Sequence, residues 1–253
     1  MSTEFELNQS EDIDISAVLP SYKEACNLDI IIPTIIDKLN SMNVTWEVII
    51  IDTQEPMDDT PEICKKYNIK YVNRRNGNTY GDAIRTAFME TSGLYTIVMD
   101  SDGSHKPEYF SDLYSHAKSG NDVIIGSRYI KGGNTCNGFI LRTMSKILNA
   151  FYRLSLNIKL KDISNSFRMY KTEYLKQIDL ECNNFDIVEE ILIKLQLLDN
   201  NIKMFETPIT FEKRNLGKSK RKLLPFIFSY LKTINRLKKI KKKHLKEIKK
   251  NKK

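Results

Sequence analysis

The stretch YTIVMDSDGSHKPE, residues 95–108, contains the transition that decides the fold. Its first five residues are aromatic, β-branched or aliphatic, which is typical of a buried strand. Pro107 favours the start of a helix, because proline is tolerated in the first helical turn. Between them lie Asp100 and Asp102, in a segment of turn-forming residues. The stretch therefore predicts a strand, a polar turn and a helix.

The same alternation of strand and helix continues on both sides of this stretch. Apolar runs predict strands at 13–19, 46–51, 69–72, 95–99 and 122–125, with helices at 27–39, 60–67, 81–91 and 107–118. This order is typical of an α/β fold with a mostly parallel central sheet and helices on both faces. Ligands of such sheets bind beyond the carboxyl ends of the strands, which selects residues 20–24, Asp52 and residues 100–104.

Further along the chain, helical spacing of apolar residues predicts three more helices. They cover residues 141–152, 185–198 and 223–249, and one or two short strands are expected within 202–211. Since adjacent residues on a helix point in different directions, only one of Glu189 and Glu190 is expected to face inward.

Charge divides the chain into two unequal parts. The net charge is +8, yet residues 213–253 hold 18 of the 40 Lys and Arg residues and one acidic residue, Glu247. Such basic ends bind nucleic acid, anionic membranes or acidic proteins, or are simply solvated. We expect a polar N-terminal tail (1–12), one α/β domain (13–222) and a basic amphipathic extension (223–253).

Composition excludes several other classes of protein. A hydrophobic content of 41% is that of a folded chain rather than a disordered one. The four cysteines lie far apart, which argues against a zinc site and a disulfide framework and favours a reducing, cytoplasmic location. We find no signal peptide and no apolar run long enough to span a bilayer.

Asp100 and Asp102 are candidate ligands of a divalent cation. In a continuing strand they would point to opposite faces, but in a turn both can approach one ion. Hard cations such as Mg²⁺ or Mn²⁺ take oxygen ligands and are commonly shared with substrate phosphates. A merely solvated turn is the alternative, but the position after a buried strand favours the metal site.

Taken in order, the motifs resemble those of family 2 glycosyltransferases with the GT-A fold, and most closely the dolichol- or polyprenol-phosphate mannosyl- and glucosyltransferases. The resemblance covers about residues 14–222. It rests on LPSYKEACNL (19–28), IIID (49–52), NRRNGNTYGDAIRTAF (73–88), DSDGSHKPE (100–108), DVIIGSRYIKGG (122–133), DISNSFRMY (162–170), FDIVEEIL (185–192) and PITFEKRNLGKSK (208–220).

The resemblance implies a role for each matching residue. The metal would be held by Asp100, Asp102 and Ser104, and the nucleotide-sugar would be bound by Pro20, Tyr22, Glu24, Asp52 and Asp100. The acceptor phosphate would be bound by Arg128, Arg142, Ser145 and Arg214, since the guanidinium fork matches phosphate oxygens. Asp102, Arg128, Asp162 and Glu189 are the candidate catalytic residues, the last two as bases for a hydroxyl acceptor.

The implied function is metal-dependent, inverting transfer of a hexose from a GDP- or UDP-sugar to a polyprenol or dolichol phosphate. The alternatives are transfer to a hydroxyl of a glycan or small molecule, a non-catalytic nucleotide-sugar binder and a nucleotidyltransferase. For single residues, structural roles remain open: Arg128 as the partner of a carboxylate, Arg142 as a solvated residue and Asp162 as a cap.

Two regions bear on substrate and partner. DTQEPMDDT (52–60) departs from the family pattern, because Thr53 stands where a second aspartate is usual. The basic extension 223–253 predicts peripheral contact with an anionic membrane at its cytosolic face. Nucleic acid is not expected as a partner, because no aromatic residues alternate with the basic run.

Overall fold

The computed structural model of the protein describes residues 12–217, 230 and 232–244. In this part of the chain the strands are β1 (Ile15–Pro20), β2 (Trp46–Asp52), β3 (Lys70–Asn73), β4 (Tyr95–Val98), β5 (Val123–Ser127), β6 (Asn134–Thr135), β7 (Arg168–Lys171), β8 (Met204–Pro208) and β9 (Thr210–Phe211). The helices are α1 (Ala25–Ser41), α2 (Thr60–Lys66), α3 (Tyr80–Glu90), α4 (Phe110–Lys118), α5 (Phe139–Leu156), α6 (Thr172–Leu175), α7 (Ile187–Leu198) and α8 (232–244).

Seven strands form one central sheet in the order β3-β2-β1-β4-β7-β5-β8. All neighbouring pairs are parallel except those of β7, which runs antiparallel to both β4 and β5. Strand β1 is buried along its whole length, as expected for a central strand covered on both faces. The predicted α/β fold with a mostly parallel sheet is confirmed.

Each face of the sheet has its own hydrophobic core. On one face α1, α2 and α4 cover the sheet through residues such as Ile32, Cys64 and Phe110. On the other face α3, α5, α7 and α8 meet around Tyr152 and Ile191. The carboxyl ends of the parallel strands remain as a common polar edge between these two layers.

Some short elements of the fold differ from the sequence prediction. The antiparallel strand β7 and the short helix α6 were not predicted, because the four residues of β7 follow a polar segment that shows no strand periodicity. A 3-10 turn at Pro107–Tyr109 precedes α4. The short strands expected within 202–211 are present as two: β8 ends at Pro208 in the central sheet, and β9 pairs with β6, which was not predicted, in a separate two-stranded sheet.

Helix α8 packs on the body of the protein. Ile234 and Leu237, two apolar positions of the predicted amphipathic stripe, are buried in the core, and Ile240 packs against it. Lys241 donates to the carbonyl oxygen of Leu156 at 2.6 Å. The apolar side of the described part of the extension is therefore occupied by the protein itself. The remaining positions of the stripe, Ile227, Leu231, Leu245 and Ile248, lie outside the described residues, as does the tail up to residue 11.

Among the described residues, the structure contains no helix that is both long enough and apolar enough to cross a membrane. All four cysteines are free thiols, in agreement with the expectation that they form no disulfide framework.

Candidate active site

The predicted site residues meet at the polar edge of the sheet. Asp52 is the last residue of β2, Asp100 follows β4 by two residues, and Arg128 directly follows β5. Asp162 reaches the same edge from the segment before β7. Because β7 runs antiparallel to β4 and β5, it begins at the edge where those two strands end. This convergence agrees with the rule that ligands of such sheets bind at the carboxyl ends of parallel strands.

The segment from Asp100 to Ser104 forms a tight turn. Gly103 adopts a φ of +80°, a conformation that favours glycine. The amide and hydroxyl of Ser104 donate to Asp102 Oδ1 at 3.0 and 2.6 Å, and Ser166 Oγ donates to Asp100 Oδ1 at 2.9 Å. Ser104, a predicted metal ligand, thus serves to orient Asp102.

His105 connects this turn to β5. The amide of Asp100 donates to His105 Nδ1 at 3.1 Å, so the proton of the neutral ring lies on Nε2, which donates to Asn165 Oδ1 at 3.1 Å. Asn165 in turn donates to the carbonyl of Gly126 at 2.5 Å. Complete burial lowers the pKa of His105, which favours this neutral form. The turn is therefore positioned relative to the strand that precedes Arg128.

The carboxylates of Asp100 and Asp102 suit a divalent cation shared with a substrate. Their side chains are 14% and 24% exposed, so both reach the surface of the site. The described residues contain no cluster of three or more His, Cys, Asp or Glu side chains able to hold a metal. Two carboxylates fit a cation such as Mg²⁺ that completes its coordination with water and phosphate oxygens.

A second cluster of polar groups, all of them wholly or partly buried, lies at the ends of β1, β2 and β3. Asp52 is fully buried and accepts from the Tyr71 hydroxyl at 3.2 Å, and burial raises the pKa of Asp52. Arg74 donates to the carbonyls of Ser21 and Asn78. Asp52 Oδ1, Arg74 Nε and Ser21 Oγ have no hydrogen-bond partner among the described residues. Since buried polar atoms are rarely left unpaired, this cluster suits a polar ligand such as a base or ribose.

Ser21 lies within the range 20–24 that the strand-end rule selected, although no role was predicted for it, whereas Tyr71 and Arg74 were not predicted from the sequence. Ser21 and Arg74 directly follow β1 and β3, and Tyr71 lies within β3, so their positions beside the predicted strand ends could have identified them. Of the three donor residues predicted near β1, Pro20 is its last residue, Tyr22 is 39% exposed, and Glu24 faces Arg214.

Arg128 and Asp162 form a buried bidentate ion pair. Arg128 Nε and Nη2 each lie 2.7 Å from a carboxylate oxygen of Asp162, and the amide of Arg128 donates to Oδ2 at 2.9 Å. Burial alone lowers the pKa of Arg128, but the charge and hydrogen bonds of Asp162 outweigh it and raise the pKa overall. Arg128 Nη2 also lies 3.0 Å from Ser164 Oγ and 3.5 Å from Ser145 Oγ. The guanidinium is thus held in one orientation.

The four predicted acceptor residues are not all gathered at one point. Ser145 contacts Arg128, and Arg142 is exposed one turn earlier on the same helix. Arg214 instead lies near the start of α1 and the turn of Asp100 and Asp102, where it pairs with Glu24 at 2.7 Å and lies 3.7 Å from Asp102.

Glu189 is buried in the interior rather than exposed at the site. It has no exposed surface, and neither of its carboxylate oxygens has a hydrogen-bond partner among the described residues. Burial raises the pKa of Glu189 well above its usual value. Its neighbour Glu190 is also fully buried, contrary to the expectation that only one of the two faces inward. The reason is that α8 covers this side of α7, where Arg236 pairs with Glu190 at 2.9 Å.

Comparison with known proteins places this geometry in a family. The model of glycosyl transferase family 2 matches residues 16–179. The chain is 34% identical to a dolichol-phosphate mannosyltransferase of Pyrococcus furiosus over 88% of its own length and 63% of that protein. It is 29% identical to a polyprenol monophosphomannose synthase of Mycolicibacterium smegmatis, over 80% of this chain and 79% of the relative. The chain thus spans less than two thirds of the Pyrococcus protein.

A solved structure shows the same fold at low sequence identity. The glucosyl-3-phosphoglycerate synthase of Mycobacterium tuberculosis, in complex with Mn²⁺, UDP and phosphoglyceric acid, superposes with a TM-score of 0.68 and 17% identity. The match covers 88% of this chain and 76% of that one. The fold is therefore the GT-A fold. Since the family model matches more than half of the sequence, the chain belongs to glycosyl transferase family 2.

Proposed function

We propose that this chain is a metal-dependent, inverting glycosyltransferase that moves a hexose from a GDP- or UDP-sugar to a polyprenol or dolichol phosphate at a membrane face. The observation that carries the proposal is Arg128, a buried guanidinium fixed by Asp162 at the same edge of the sheet as the turn of Asp100 and Asp102. A fixed cation beside a candidate metal site suits an anionic acceptor that must meet a diphosphate donor. The two named relatives act in prenyl-phosphate mannosylation.

The donor would lie between the polar cluster of Asp52, Ser21 and Arg74 and the turn of Asp100 and Asp102. The unpaired polar atoms of Asp52, Ser21 and Arg74 would bind the base and ribose. Asp100 and Asp102 would hold Mg²⁺ or Mn²⁺, which would neutralise the departing nucleoside diphosphate. The synthase of Mycobacterium tuberculosis, with the same fold, was solved with Mn²⁺ and UDP.

The state of the two candidate bases favours a phosphate acceptor over a hydroxyl. A phosphate is already ionised near neutral pH and needs no base, whereas a hydroxyl must lose its proton. Asp162 is fully buried and engaged with Arg128, and Glu189 is buried away from the site surface. In this arrangement Asp162 orients Arg128, and Arg128 and Ser145 would bind the phosphate, with Arg142 at the entrance.

The exposed side of helix α5 is a stronger argument for membrane contact than the basic extension. Its outward side chains include several large apolar residues that are more than half exposed: Phe139, Ile140, Leu141, Ile147 and Leu154. Basic residues flank them, with Lys146 and Arg142 on α5 and Lys238 of α8 lying 6.0 Å from the Phe151 ring. Apolar side chains surrounded by positive charge fit the surface of an anionic membrane. The lysines of α8 and of residues 245–253 would add charge to the same contact.

A screen of donors and acceptors tests the proposal. Purified protein with Mn²⁺ or Mg²⁺ is given GDP-mannose, GDP-glucose, UDP-glucose or UDP-galactose, with and without a short polyprenyl phosphate. We expect nucleoside diphosphate release that requires metal and increases with the lipid phosphate, and a glycolipid product. The matching polyprenol without its phosphate is the control and should not stimulate release.

Each alternative predicts a different outcome of this screen. Stimulation by glycans or small alcohols instead of the lipid phosphate would indicate a hydroxyl acceptor. Release of pyrophosphate would indicate a nucleotidyltransferase. Nucleotide-sugar binding without any turnover would indicate a non-catalytic binder.

A further inference from the structure

The loop of residues 212–217, here called the bridging loop, connects two parts of the donor site. At one end it binds the metal-site turn: the amide of Glu212 donates to the carbonyl of Ser104, and the amide of Asn215 donates to that of Asp102, both at 2.9 Å. The side chain of Asn215 lies against Gly103, where a β-carbon would come within 2.2 Å of it. The loop thus fits directly onto the turn that carries the candidate metal ligands.

At its other end the bridging loop binds the start of α1 through Asn27. The amide of Leu216 donates to Asn27 Oδ1 at 3.0 Å, and Asn27 Nδ2 lies 3.3 Å from the carbonyl of Leu216. Asn27 Nδ2 also donates to Glu24 Oε2 at 2.6 Å. Asn27 is 3% exposed, so these bonds are largely shielded from water. One amide side chain therefore binds both the loop and Glu24.

Arg214 lies between these two attachments. Its Nη2 is 2.7 Å from both carboxylate oxygens of Glu24, its Nε donates to the carbonyl of Leu216 at 2.8 Å, and its Nη1 is 3.7 Å from Asp102 Oδ2. The contact with Glu24 is close and doubled, whereas that with Asp102 is long. The guanidinium is therefore held mainly from α1, with one nitrogen directed at the metal-site turn.

We propose that Asn27 and Glu24 are positioning residues that hold Arg214 over the donor site, so that Arg214 serves the donor diphosphate and not the acceptor phosphate. The proposal rests on the proposed function, since it assumes a diphosphate donor at Asp100 and Asp102. When a diphosphate occupies the site, Arg214 keeps Glu24 and exchanges its long contact with Asp102 for a phosphate oxygen. This frees the Asp102 carboxylate and adds a positive charge where the leaving group develops negative charge.

The test uses Asn27→Ala in the full chain, with Asn40→Ala as a matched control. Asn40 lies on the same helix, is exposed and bonds Trp46 far from the bridging loop. The first measurement is hydrogen exchange at residues 212–217 without substrate, because it does not depend on any reaction. We expect exchange of the Leu216 amide to increase at least tenfold in Asn27→Ala and to stay within twofold in Asn40→Ala.

The second measurement separates donor from acceptor. Calorimetry measures the Kd of GDP and of UDP in the presence of Mn²⁺, and steady-state kinetics measures the KM of the nucleotide-sugar and of the acceptor. In Asn27→Ala we expect the nucleotide Kd and the nucleotide-sugar KM to rise about tenfold, with the acceptor KM within twofold of wild type. Glu24→Gln should likewise weaken nucleotide binding and leave the acceptor KM nearly unchanged. The double variant should lose less nucleotide-binding free energy than the sum of the losses in the two single variants, because both residues act through Arg214.

Three results would overturn the inference. Unchanged exchange in Asn27→Ala would mean that Asn27 does not hold the loop. Faster exchange with unchanged nucleotide affinity would mean that the loop does not serve the donor. An increase in acceptor KM without a change in nucleotide affinity would mean that Arg214 binds the acceptor, as predicted from the sequence. Nucleotide binding is measured without acceptor, so a failure of the lipid-phosphate assignment leaves this test intact.

Discussion

Asp162 binds Arg128 through two hydrogen bonds of 2.7 Å, across 34 positions of sequence, and the pair is almost completely buried. A buried charge requires a partner, because water is not available to solvate it. The pair therefore gives the site a positive group whose direction is set before any ligand binds. Such preorganisation would suit the proposed phosphate acceptor, because the guanidinium does not have to be ordered when the ligand binds.

Removing one partner of this pair should affect both stability and acceptor binding. We expect Asp162→Asn to lower the free energy of unfolding by about 3 kcal/mol, because Arg128 keeps its charge without a counterion. The acceptor KM should increase at least tenfold while the donor KM changes little. Urea denaturation and steady-state kinetics measure the two effects. Asp37→Asn, at an exposed position of α1, is the control, and equal behaviour of the two variants would contradict the role given to Asp162.

The metal assignment predicts a loss of activity without a loss of structure. Asp102→Ala should abolish sugar transfer and leave the melting temperature within a few degrees of wild type, since its side chain is 24% exposed and lies outside both cores. Chelation of divalent cations should abolish transfer by the wild-type protein, and added Mn²⁺ should restore it. Residual transfer by Asp102→Ala in saturating Mn²⁺ would count against Asp102 as a metal ligand.

Glu189 predicts an unusual dependence of stability on pH. In the unfolded chain the pKa of Glu189 has its ordinary value of 4.5, whereas burial in the folded protein raises it well above that value. At a pH between the unfolded-state and folded-state pKa values, the folded state therefore binds a proton that the unfolded state does not. Stability therefore falls as pH rises through this range, by up to about 1.4 kcal/mol per pH unit. Glu189→Gln lacks this titration and should be more stable than wild type at pH 7, with the difference shrinking toward pH 4.5.

Denaturation in urea at pH values from 4.5 to 8 measures this difference. Glu55→Gln, at an exposed position before α2, is the control and should follow wild type at every pH. A constant difference between Glu189→Gln and wild type across the whole range would show that Glu189 does not titrate as proposed.

Membrane contact should depend on the apolar side of α5. Ile147 and Leu154 are 63% and 85% exposed, so replacing both with Asp should leave the fold intact. It should reduce binding to vesicles rich in anionic lipid about tenfold or more, because it removes apolar contact and adds repulsion. Sedimentation with vesicles measures the effect. Leu94→Asp is the control, since Leu94 is 53% exposed at the opposite end of β4 from the site.

Deletion of residues 245–253 separates the two sources of membrane contact. This segment carries five lysines and one acidic residue, and its loss should weaken binding in proportion to the anionic lipid content. Deletion from residue 230 onward is not a usable variant, because Ile234 and Leu237 belong to the core and their loss should destabilise the whole domain. If the α5 variant binds vesicles as wild type does and the 245–253 deletion does not, the contact lies in the tail.

The sequence predicted the donor half of the sheet well, for a physical reason. Strands β1, β2 and β4 are buried over all or most of their length, so each is a largely apolar run that local composition reveals. Because parallel strands end at a common edge, the residues at the ends of β1, β2 and β4 were expected to meet, and Asp52 and Asp100 do lie at that edge.

The remaining features depend on contacts between distant parts of the chain. The four residues of β7 have no distinctive pattern, and their position is set by pairing with both β4 and β5. Arg214 and Glu24 are 190 positions apart, so no spacing rule could indicate that they pair. The burial of Glu190 likewise depends on α8, which returns to cover α7.

The antiparallel direction of β7 has a consequence for how this fold can diversify. The chain leaves the polar edge after β5, passes through α5 and returns to the same edge before β7, where Asp162 closes the excursion onto Arg128. The end of β5 and the start of β7 thus lie next to each other, and the segment between them contributes no strand to the central sheet. A chain built in this way can exchange that whole segment, and with it Ser145 and Arg142 of the proposed acceptor site, while the register of the seven strands stays as it is.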